Sequence, residues 1–587
     1  MHPTPAYRIG WHSKQIEIRA QGYAMHGYGN PNHVAYGEQD PLYARALYIE
    51  DEAGGGLWFC CLDLGYVTHA MREGVCAALR SQQADFDEAR LVLTCTHTHS
   101  GPGGCTHDVL YNLVTPGFQP AHLDAVVSAS VVALKQAQAS AAPAGLTLHQ
   151  EKIDEHIDVA WNRSIEAYNR NPDVQAQTVA HTHRALDRNM SVLAIRQGDQ
   201  VSALLSLFGV HATCLTNRLH RHNGDNKGYA SLHAEAELRE KGSVTPVAIF
   251  AQGTAGDVSP HDQRLGITRA YARRQARKGE AEYAYARHNG EIQSRFALAM
   301  THNQTTLPIN GKIDAILSYV DFTCQHADPA YANGNSDAWT SEPCHGVAFF
   351  AGTPVDGRGM PWPLVQGAKL IARIVKKLRL GRLNQLESSE RDYLARIYAA
   401  QGPKDILMES GSRKRVLGRE FSQLPVPGIV DPLVAELKRE TNAGAVQHSQ
   451  MIPTVLPLQI VTIGPLAIVC CPGEFTTVAG KRIHDTVQSI LSKRSEAIQK
   501  VLICTYCNEY MGYVTTFEEY QQQNYEGGHT VFGQWTQAVF QTLFAQLAAQ
   551  LNRPENERTH DRSTRPLPAP PEELAKRSNQ AARPYKK

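Results

Sequence analysis

The chain has no surplus of charge of either sign. Its 587 residues include 58 Lys and Arg against 57 Asp and Glu, which leaves a formal net charge of +1 at pH 7. Proteins that grip nucleic-acid phosphates carry a strong basic excess. The balance therefore argues against a nucleic-acid partner.

Apolar runs long enough to cross a membrane are also missing. The stretch 441–473 contains no Asp, Glu, Lys or Arg, but prolines interrupt it, whereas a spanning helix needs about 20 consecutive apolar residues. We interpret the stretch as two buried strands joined by a turn at Gly464 and Pro465. The N-terminus lacks the cationic and apolar regions of a secretory signal. We therefore expect no transmembrane segment and a cytoplasmic location.

Two common hydrolase signatures are absent as well. HExxH, typical of thermolysin-like proteases, does not occur, and neither does the GxSxG of α/β-hydrolases. The twelve cysteines lie mostly in apolar surroundings, which favours buried, reduced thiols over a disulfide framework. What stands out instead is the number of histidines, 26, which suggests a metal.

Strand-like apolar runs alternate with helix-like segments along the chain, as in 56–65 followed by 68–82. This alternation predicts an α/β protein with mixed β-sheets flanked by helices. Several predicted strands run into loops rich in Gly, His, Asp or Ser, and open α/β sheets bind ligands beyond the carboxyl ends of their strands. After Leu551 the composition becomes Pro-rich and charged. We predict one large domain over 1–551 and a disordered tail over 552–587.

The strongest local feature is LVLTCTHTHSGPGG, which contains His97 and His99. In an extended strand, side chains two residues apart share a face, so both imidazoles are expected to point the same way beside a Gly-rich loop. Half of a metal site fits this arrangement, and two core or capping histidines fit it equally well. The same spelling recurs at His181 and His183 in a polar segment, and we interpret that copy as surface.

Three further segments follow apolar strands. His211 follows LLSLFGV, Glu474 lies at a strand-to-helix turn, and Asp257 and Ser259 lie in the Gly-flanked turn GTAGDVSP. Two histidines and a glutamate form a familiar catalytic zinc set that leaves one position for water. A core histidine is the simpler interpretation of His211, and backbone capping is the simpler one for Asp257 and Ser259.

Taken together, these segments resemble the neutral (neutral/alkaline, non-lysosomal) ceramidase family, zinc-dependent amidases that split ceramide into sphingosine and a fatty acid. Eight blocks occur in the family's order over about residues 25–545: MHGYGNP, ARLVLTCTHTHSGPGG, NRSIEAYNRNP, FGVHATCLTN, GDNKGYAS, AQGTAGDVSPH, LPLQIVTIGPLAIVCCPGEFTTVAGKRI and GYVTTFEEYQQQNYEGGHTVFG. The family usually adds a C-terminal β-sandwich. We expect that domain to be absent, because the chain ends in a Pro-rich segment that resembles the linker to it.

The resemblance implies one zinc ion per chain with four ligands: His97, His211, Glu474 and Tyr513. It also implies that His99, Arg163 and Tyr525 lie around the scissile amide and that Ser259 is the family's functionally required serine. Zn²⁺ activates water and polarises an acyl oxygen. A guanidinium and a tyrosine hydroxyl stabilise a developing oxyanion, and His99 or Ser259 can pass a proton to the leaving amine.

The implied activity is hydrolysis of the amide bond of ceramide, or of a related N-acyl lipid, to a free fatty acid and a sphingoid base by zinc-activated water. The expected partner is the lipid substrate, with at most peripheral contact with a membrane. Alternatives are a metal-dependent hydrolase of a different N-acyl amide and a non-catalytic lipid-binding homologue. A further alternative makes Ser259 the nucleophile of an acyl-enzyme.

Overall fold

The computed structural model describes residues 7–19, 22–113, 115, 117–303, 306–424, 432–494 and 498–578. Its strands are β1 (Tyr7–Gln15), β2 (Tyr23–Ala24), β3 (Val34–Ala35), β4 (Tyr43–Glu50), β5 (Gly56–Leu62), β6 (Leu91–Cys95), β7 (Ala142–Lys152), β8 (Trp161–Asn162), β9 (Asn189–Gln197), β10 (Gln200–Leu207), β11 (Val247–Ala251), β12 (Val258–Ser259), β13 (Leu307–Pro308), β14 (Ile313–Asp321), β15 (Cys344–Gly346), β16 (Gly352–Thr353), β17 (Gly357–Arg358), β18 (Ile406–Glu409), β19 (Arg415–Val416), β20 (Arg419–Glu420), β21 (Val455–Ile463), β22 (Leu466–Cys470), β23 (Glu474–Phe475), β24 (Lys500–Cys504) and β25 (Tyr513–Val514).

Its α-helices are α1 (His69–Arg80), α2 (Val109–Asn112), α3 (Pro120–Ala139), α4 (Ile165–Tyr168), α5 (Asp225–Glu240), α6 (Ile267–Ala276), α7 (Glu280–Met300), α8 (Val347–Phe350), α9 (Trp362–Gly381), α10 (Ser388–Gln401), α11 (Pro432–Asn442), α12 (Thr477–Leu491), α13 (Phe517–Tyr520), α14 (Tyr525–Gly528), α15 (Thr536–Leu551) and α16 (Pro571–Ser578). None of the helices in the described part of the chain combines the length and apolar character needed to span a bilayer.

Two mixed sheets form the centre of the protein. The larger has nine strands in the order β11-β10-β9-β7-β1-β4-β5-β6, with β13 pairing with β7. The smaller has four strands in the order β14-β21-β22-β24. Most neighbours are antiparallel, but β5 with β6, β10 with β11, and β22 with β24 run parallel. The predicted α/β class with mixed sheets and flanking helices is confirmed.

The two sheets face each other across an apolar layer. Leu47 and Phe59 of the larger sheet share this layer with Val461 and Ile468 of the smaller one. Because side chains alternate along a strand, the residues between them point outward, where α1 and α3 cover the larger sheet and α12 and α15 cover the smaller. The layers thus hold the carboxyl ends of strands from both sheets close together.

Most predicted elements occur where the sequence placed them. The run 56–65 forms β5, the helical pattern at 68–82 forms α1, and the uncharged stretch 441–473 contains β21 and β22 joined by a turn at Gly464. Helix α1 begins after Thr68, whose hydroxyl accepts a hydrogen bond from a backbone N–H of the first turn. All twelve cysteines are free, and all but Cys324 are buried.

The segment 552–578 differs from the unpacked tail that its composition suggested. Arg558 forms an ion pair with Asp314 at 2.6 Å. Arg577 is fully buried and donates to the carbonyl of His107 at 2.9 Å. The charged side chains of this segment find buried partners on the domain, so a low apolar content does not prevent packing. Residues 579–587 of the predicted tail lie outside the described residues.

Candidate metal centre and active site

Loops that follow strands of both sheets converge at one site. His97 follows β6 and His211 follows β10 on the larger sheet, whereas Glu474 follows β22 on the smaller one. Each of these strands belongs to a parallel pair. The site therefore lies beyond the carboxyl ends of strands, where open α/β sheets usually bind ligands.

The two histidines of the first HTH copy converge, but not by strand geometry. Strand β6 ends at Cys95, and His97 has a φ of 62°, in the left-handed region that non-glycine residues rarely adopt. The prediction that His97 and His99 lie on one face of an extended strand is therefore wrong. The turn nevertheless brings the Nε2 atoms of His97 and His99 to 3.1 Å. Such backbone strain is typical of functional sites.

Gly27 of the MHGYGNP block makes room for His99. Its φ is +123°, and a Cβ atom there would lie 2.4 Å from Cγ of the His99 ring. Only glycine tolerates both conditions. The block therefore shapes the wall of the site although it supplies none of the predicted site residues.

A short parallel ladder sets Glu474 beside Tyr513. The two residues are register partners in the pairing of β23 with β25, and the Glu474 N–H donates to the carbonyl of Gly512 at 2.9 Å. A second bridge, between Thr98 and Ala212, ties the HTH loop to the segment that carries His211. Backbone pairing thus fixes the predicted ligands in two pairs, Glu474 with Tyr513 and His97 with His211.

The donor atoms of these four residues lie within reach of a single ion. His211 Nε2 is 2.9 Å from Glu474 Oε2 and 3.2 Å from the Tyr513 hydroxyl. His97 Nε2 is 3.4 Å from Glu474 Oε1. Donors that bind tetrahedral zinc at about 2.0 Å lie about 3.3 Å from one another. The observed spacings fit one zinc ion.

The imidazole tautomers also suit a metal. Nδ1 of His97 lies 2.6 Å from the carbonyl oxygen of Gly65, and Nδ1 of His211 lies 2.6 Å from that of Ala255. A carbonyl only accepts hydrogen bonds, so the proton is on Nδ1 in both rings and the Nε2 lone pairs face the centre. This outer support is typical of zinc-binding histidines.

Two tyrosines that the sequence analysis did not single out hold Glu474. The Tyr510 hydroxyl donates to Oε1 at 2.5 Å and the Tyr506 hydroxyl donates to Oε2 at 3.1 Å. Burial alone would raise the pKa of Glu474, but the imidazoles and the Tyr510 hydroxyl hold that pKa well below its usual range. Burial also lowers the pKa of His97 to about 4. A carboxylate beside a neutral imidazole is the form that binds metal.

Arg163 lies beside the donors, and each nitrogen of its guanidinium donates at least one hydrogen bond. It donates to Glu526 at 2.9 Å, to Asp356 at 3.0 Å and to the Tyr513 hydroxyl at 3.0 Å. Two carboxylates therefore hold this buried cation in one orientation. The structure thus places Arg163 beside Tyr513, and its role at the site stays a prediction.

Ser259 is attached to the same network from the side away from the cavity. Its hydroxyl donates to Asp356 Oδ1 at 2.8 Å, and the His261 N–H donates to the Ser259 oxygen at 3.1 Å. The side chain is fully buried and is not among the residues that line the cavity. Ser259 thus contacts Arg163 only through their shared carboxylate.

A cavity of about 740 Å³ opens above the donors. Its floor is polar and includes most of the predicted site residues: His97, His99, Arg163, His211, Glu474, Tyr513 and Tyr525. Its walls are largely apolar and aromatic: Leu110, Leu113, Phe349, Phe350, Met360, Leu364, Ile371, Leu407 and Met408. The shape joins a charged floor to a long apolar chamber, which suits an amphipathic ligand.

The second HTH copy lies in a different part of the fold, in the short 3-10 helix Val179–Arg184. His181 is half-buried and its Nδ1 lies 3.0 Å from the Thr178 hydroxyl, while His183 is buried rather than on the surface. Across the described part of the chain, the group of His, Cys, Asp or Glu donors with metal-binding spacing is His97, His99 and His211.

A sequence profile for "neutral/alkaline non-lysosomal ceramidase, N-terminal" matches residues 7–426 and 440–542. The chain belongs to the neutral/alkaline ceramidase family. The neutral ceramidase of Pseudomonas aeruginosa is 31% identical over 93% of this chain and 72% of its own length. That of Mycobacterium tuberculosis is 31% identical over 95% of this chain and 79% of its own length.

Solved structures agree with this ceramidase assignment. A structure titled as a ceramidase complexed with C2 superposes with a TM-score of 0.76 at 28% identity, over 97% of this chain and 78% of the other. The crystal structure of the neutral ceramidase from Pseudomonas aeruginosa gives a TM-score of 0.74 at 29% identity, over 96% and 77%. The chain is therefore an enzyme of the ceramidase type, a hydrolase.

Three residues of this ceramidase site were missed by sequence reasoning: Tyr506, Tyr510 and Asp356. Tyr506 and Tyr510 lie in a tyrosine-rich segment, for which aromatic packing is the simpler interpretation. Asp356 lies in a loop between β16 and β17, and nothing in its local sequence distinguishes it from a turn aspartate. Its role depends on Arg163 and Ser259, which are distant in the chain.

Proposed function

We propose that the protein is a zinc-dependent amidase that hydrolyses ceramide or a closely related N-acyl lipid to a fatty acid and a sphingoid base. The observation that carries this proposal is the cavity, in which a polar floor that includes His97 and Glu474 meets apolar walls. An N-acyl lipid has one polar amide region and long apolar chains. Its amide fits the floor while its chains bury apolar surface along the walls.

The proposed zinc ligands are His97, His211, Glu474 and Tyr513, because their donor atoms have the mutual distances and protonation states described above. A zinc ion held there supplies Lewis-acid chemistry, since it polarises a carbonyl group and makes water a nucleophile at neutral pH. The remaining steps fall to the residues around it.

We assign proton transfer to His99. Unlike the rings of His97 and His211, its Nδ1 has no hydrogen-bond partner among the described residues, so no carbonyl fixes its tautomer. A ring that can carry its proton on either nitrogen is suited to deliver one to the leaving amine. Its Nε2, at 3.1 Å from His97 Nε2, places this exchange beside the ligands.

Arg163 and Tyr525 are positioned to stabilise negative charge on the amide oxygen. The guanidinium carbon lies 5.8 Å from the centre of the Tyr525 ring, and both side chains line the cavity floor. Because Asp356 and Glu526 already fix the guanidinium, it needs little reorganisation as charge develops. We therefore propose that these two residues form the oxyanion site.

Water, rather than Ser259, is the proposed nucleophile. The Ser259 hydroxyl is buried outside the cavity lining and its proton is directed at Asp356. Burial would raise the pKa of Asp356, but the charge of Arg163 holds it below its usual range. A carboxylate of such low basicity is a poor general base for a serine. Ser259 instead supports Asp356 and, through it, Arg163.

The test uses the purified full chain with its metal content and ceramide turnover measured on the same sample. We expect about one zinc per chain, loss of fatty-acid release after chelation, and recovery with Zn²⁺. His97→Ala should abolish turnover and lower zinc content. The matched control, His181→Ala in the second HTH copy, should stay within about threefold of wild type.

Two results would contradict the proposal. Full activity in a rigorously metal-free sample would exclude zinc dependence, and equal losses at His97 and His181 would show that the wrong copy has been assigned. Mass spectrometry of a panel of N-acyl substrates then ranks ceramides against other N-acyl amides. If the enzyme hydrolyses only the other amides, the substrate is one of them and not ceramide.

A further inference from the structure

Helix α9 carries its apolar residues on the solvent side. Seven of them are between 40% and 73% exposed: Trp362, Leu364, Leu370, Ile371, Ile374, Leu378 and Leu380. Leu364, Ile371 and Leu378 are spaced by seven residues, so they form a stripe along one face. Only Val365 and Ala372 of this helix are buried. A surface helix normally has the reverse arrangement, with its apolar stripe against the core.

Polar contacts fasten this helix to the domain. Arg379 pairs with Glu409 at 2.6 Å, and Lys376 donates to the carbonyl of Gly402 at 2.6 Å. Arg379 and Lys376 thus lie on the face of α9 that contacts the domain, whereas charged side chains of a surface helix ordinarily face water. The outward position of the apolar stripe is consequently held in place by specific contacts.

The stripe is continuous with the cavity of the proposed active site. Leu364, Gly367 and Ile371 of α9 line that cavity together with His97 and Glu474. One apolar surface therefore runs from the donor cluster, along the helix, to the exterior. Contiguous exposed apolar surface of this kind marks an interaction site rather than ordinary protein surface.

The charged side chains of α9 itself have one sign, although Arg373 and Arg379 pair with Asp405 and Glu409 of a neighbouring segment. No Asp or Glu occurs between Asp356 and Glu387, while Lys and Arg recur throughout α9. Lys377 and Arg382 are exposed and form no ion pair with any residue the structure describes. Because the whole chain carries only +1, this basic character is local to the helix. Basic side chains beside an apolar stripe are complementary to an anionic lipid surface.

We propose that α9 is an interfacial anchor that lies in the headgroup layer of an anionic bilayer and directs the cavity toward the membrane. The inference rests on the proposed function for the nature of the substrate, which resides in such a layer. A second copy of the chain is a poorer occupant, since a two-fold contact through α9 would bring like charges together.

The test measures binding of the full chain to sedimentable vesicles of phosphatidylcholine, with or without about one-third phosphatidylserine. We expect clear binding to the anionic vesicles. The double substitution Ile374→Asp/Leu378→Asp, outside the cavity lining, should weaken this binding at least about tenfold. Lys377→Gln should weaken it about fivefold on anionic vesicles and leave neutral vesicles unaffected.

A matched control places the same two charges on exposed apolar residues elsewhere, as Val244→Asp/Leu265→Asp. This variant should bind vesicles like wild type. The Ile374/Leu378 variant should also turn over a water-soluble short-chain N-acyl amide normally, yet lose turnover of a long-chain N-acyl amide embedded in vesicles. That split separates membrane binding from catalysis.

The outcomes are distinguishable from those for the proposed function. Vesicle binding without hydrolysis of any N-acyl lipid would refute the function and leave the anchor standing. Absent vesicle binding, or equal binding by the Ile374/Leu378 variant, would overturn the anchor. The anchor would also be overturned if the lipid-free protein were a dimer and the Ile374/Leu378 substitutions dissociated it. The stripe would then be the contact surface for a second copy of the chain.

Discussion

Ser259 and Arg163 share one carboxylate. The Ser259 hydroxyl donates to Asp356 Oδ1 at 2.8 Å, and the guanidinium donates to Oδ2 at 3.0 Å. In the proposed mechanism, the serine acts on the site through the position and charge of Asp356. A residue with this role affects turnover without contacting the substrate.

Asp356→Asn is expected to lower kcat about 10–100-fold while zinc content stays unchanged. The amide preserves the shape of the carboxylate but removes the negative charge that orients Arg163. Steady-state kinetics with metal analysis on the same sample measures both. The control is Asp173→Asn, which removes a partner of Arg482 in a partly exposed ion pair and should leave kcat unchanged. Loss of zinc from the Asp356 variant would instead make this residue part of the metal site.

Ser259→Ala is expected to slow turnover by no more than about tenfold, without releasing the metal, since it removes one hydrogen bond to the charged Asp356. An acid-quenched reaction of the wild-type enzyme should show no acyl adduct by intact-protein mass spectrometry. A Ser259-acyl peptide that forms and decays at the rate of turnover would overturn the assignment of water as the nucleophile.

Tyr510→Phe is expected to reduce zinc affinity about 10–100-fold, because it removes the hydroxyl that donates to Glu474. Competition with a chromogenic chelator measures the change. Tyr111→Phe is the matched control. Its ring lies 5.2 Å from that of Tyr510, but its hydroxyl has no hydrogen-bond partner among the described residues. Equal losses in both variants would trace the effect to the aromatic packing.

The sequence was informative wherever function depends on short-range patterns. The apolar runs at β5, β6, β21 and β22 gave strands with the correct bounds to within a few residues. The residues placed at the ends of such strands, among them His97 and Glu474, do come together, since parallel strands bring their carboxyl ends to one edge.

Features that depend on contacts distant in the chain were not predictable. The convergence of His97 and His99 comes from a left-handed turn, and strand periodicity does not reveal it. Asp356 acquires its role only when Arg163 is beside it. Helix α9 shows the same limit, because its periodicity identifies an apolar stripe but not the direction in which the folded domain presents it.

Packing of the segment 552–578 gives a pH-dependent prediction. Glu573 accepts hydrogen bonds from the Ser449 N–H at 2.9 Å and from the His448 N–H at 2.8 Å. Burial would raise the pKa of Glu573, but hydrogen bonds from the Ser449 hydroxyl and from these two N–H groups lower it to about 2. Because the folded pKa lies below the unfolded one, the contribution to stability is complete above about pH 5 and is lost as the pH falls toward 2.

Glu573→Gln is therefore expected to lower the free energy of unfolding by about 1–3 kcal/mol at pH 7. Its melting temperature should approach that of wild type as the pH is lowered below about 5. Glu572→Gln, on the exposed side of the same helix, is the control and should have no effect. A difference that persists unchanged into acid would show that packing, not charge, holds the segment.

The proposed metal site spans the interface between the two sheets, because His97 and His211 extend from the larger sheet and Glu474 from the smaller. An ion bound by all three is bound only while the sheets are docked, so binding and folding are thermodynamically linked. Free zinc at a thousand times its Kd would add about 4 kcal/mol to the free energy of unfolding. If the site binds zinc as proposed, a chelator is expected to destabilise the fold as well as to inhibit the enzyme.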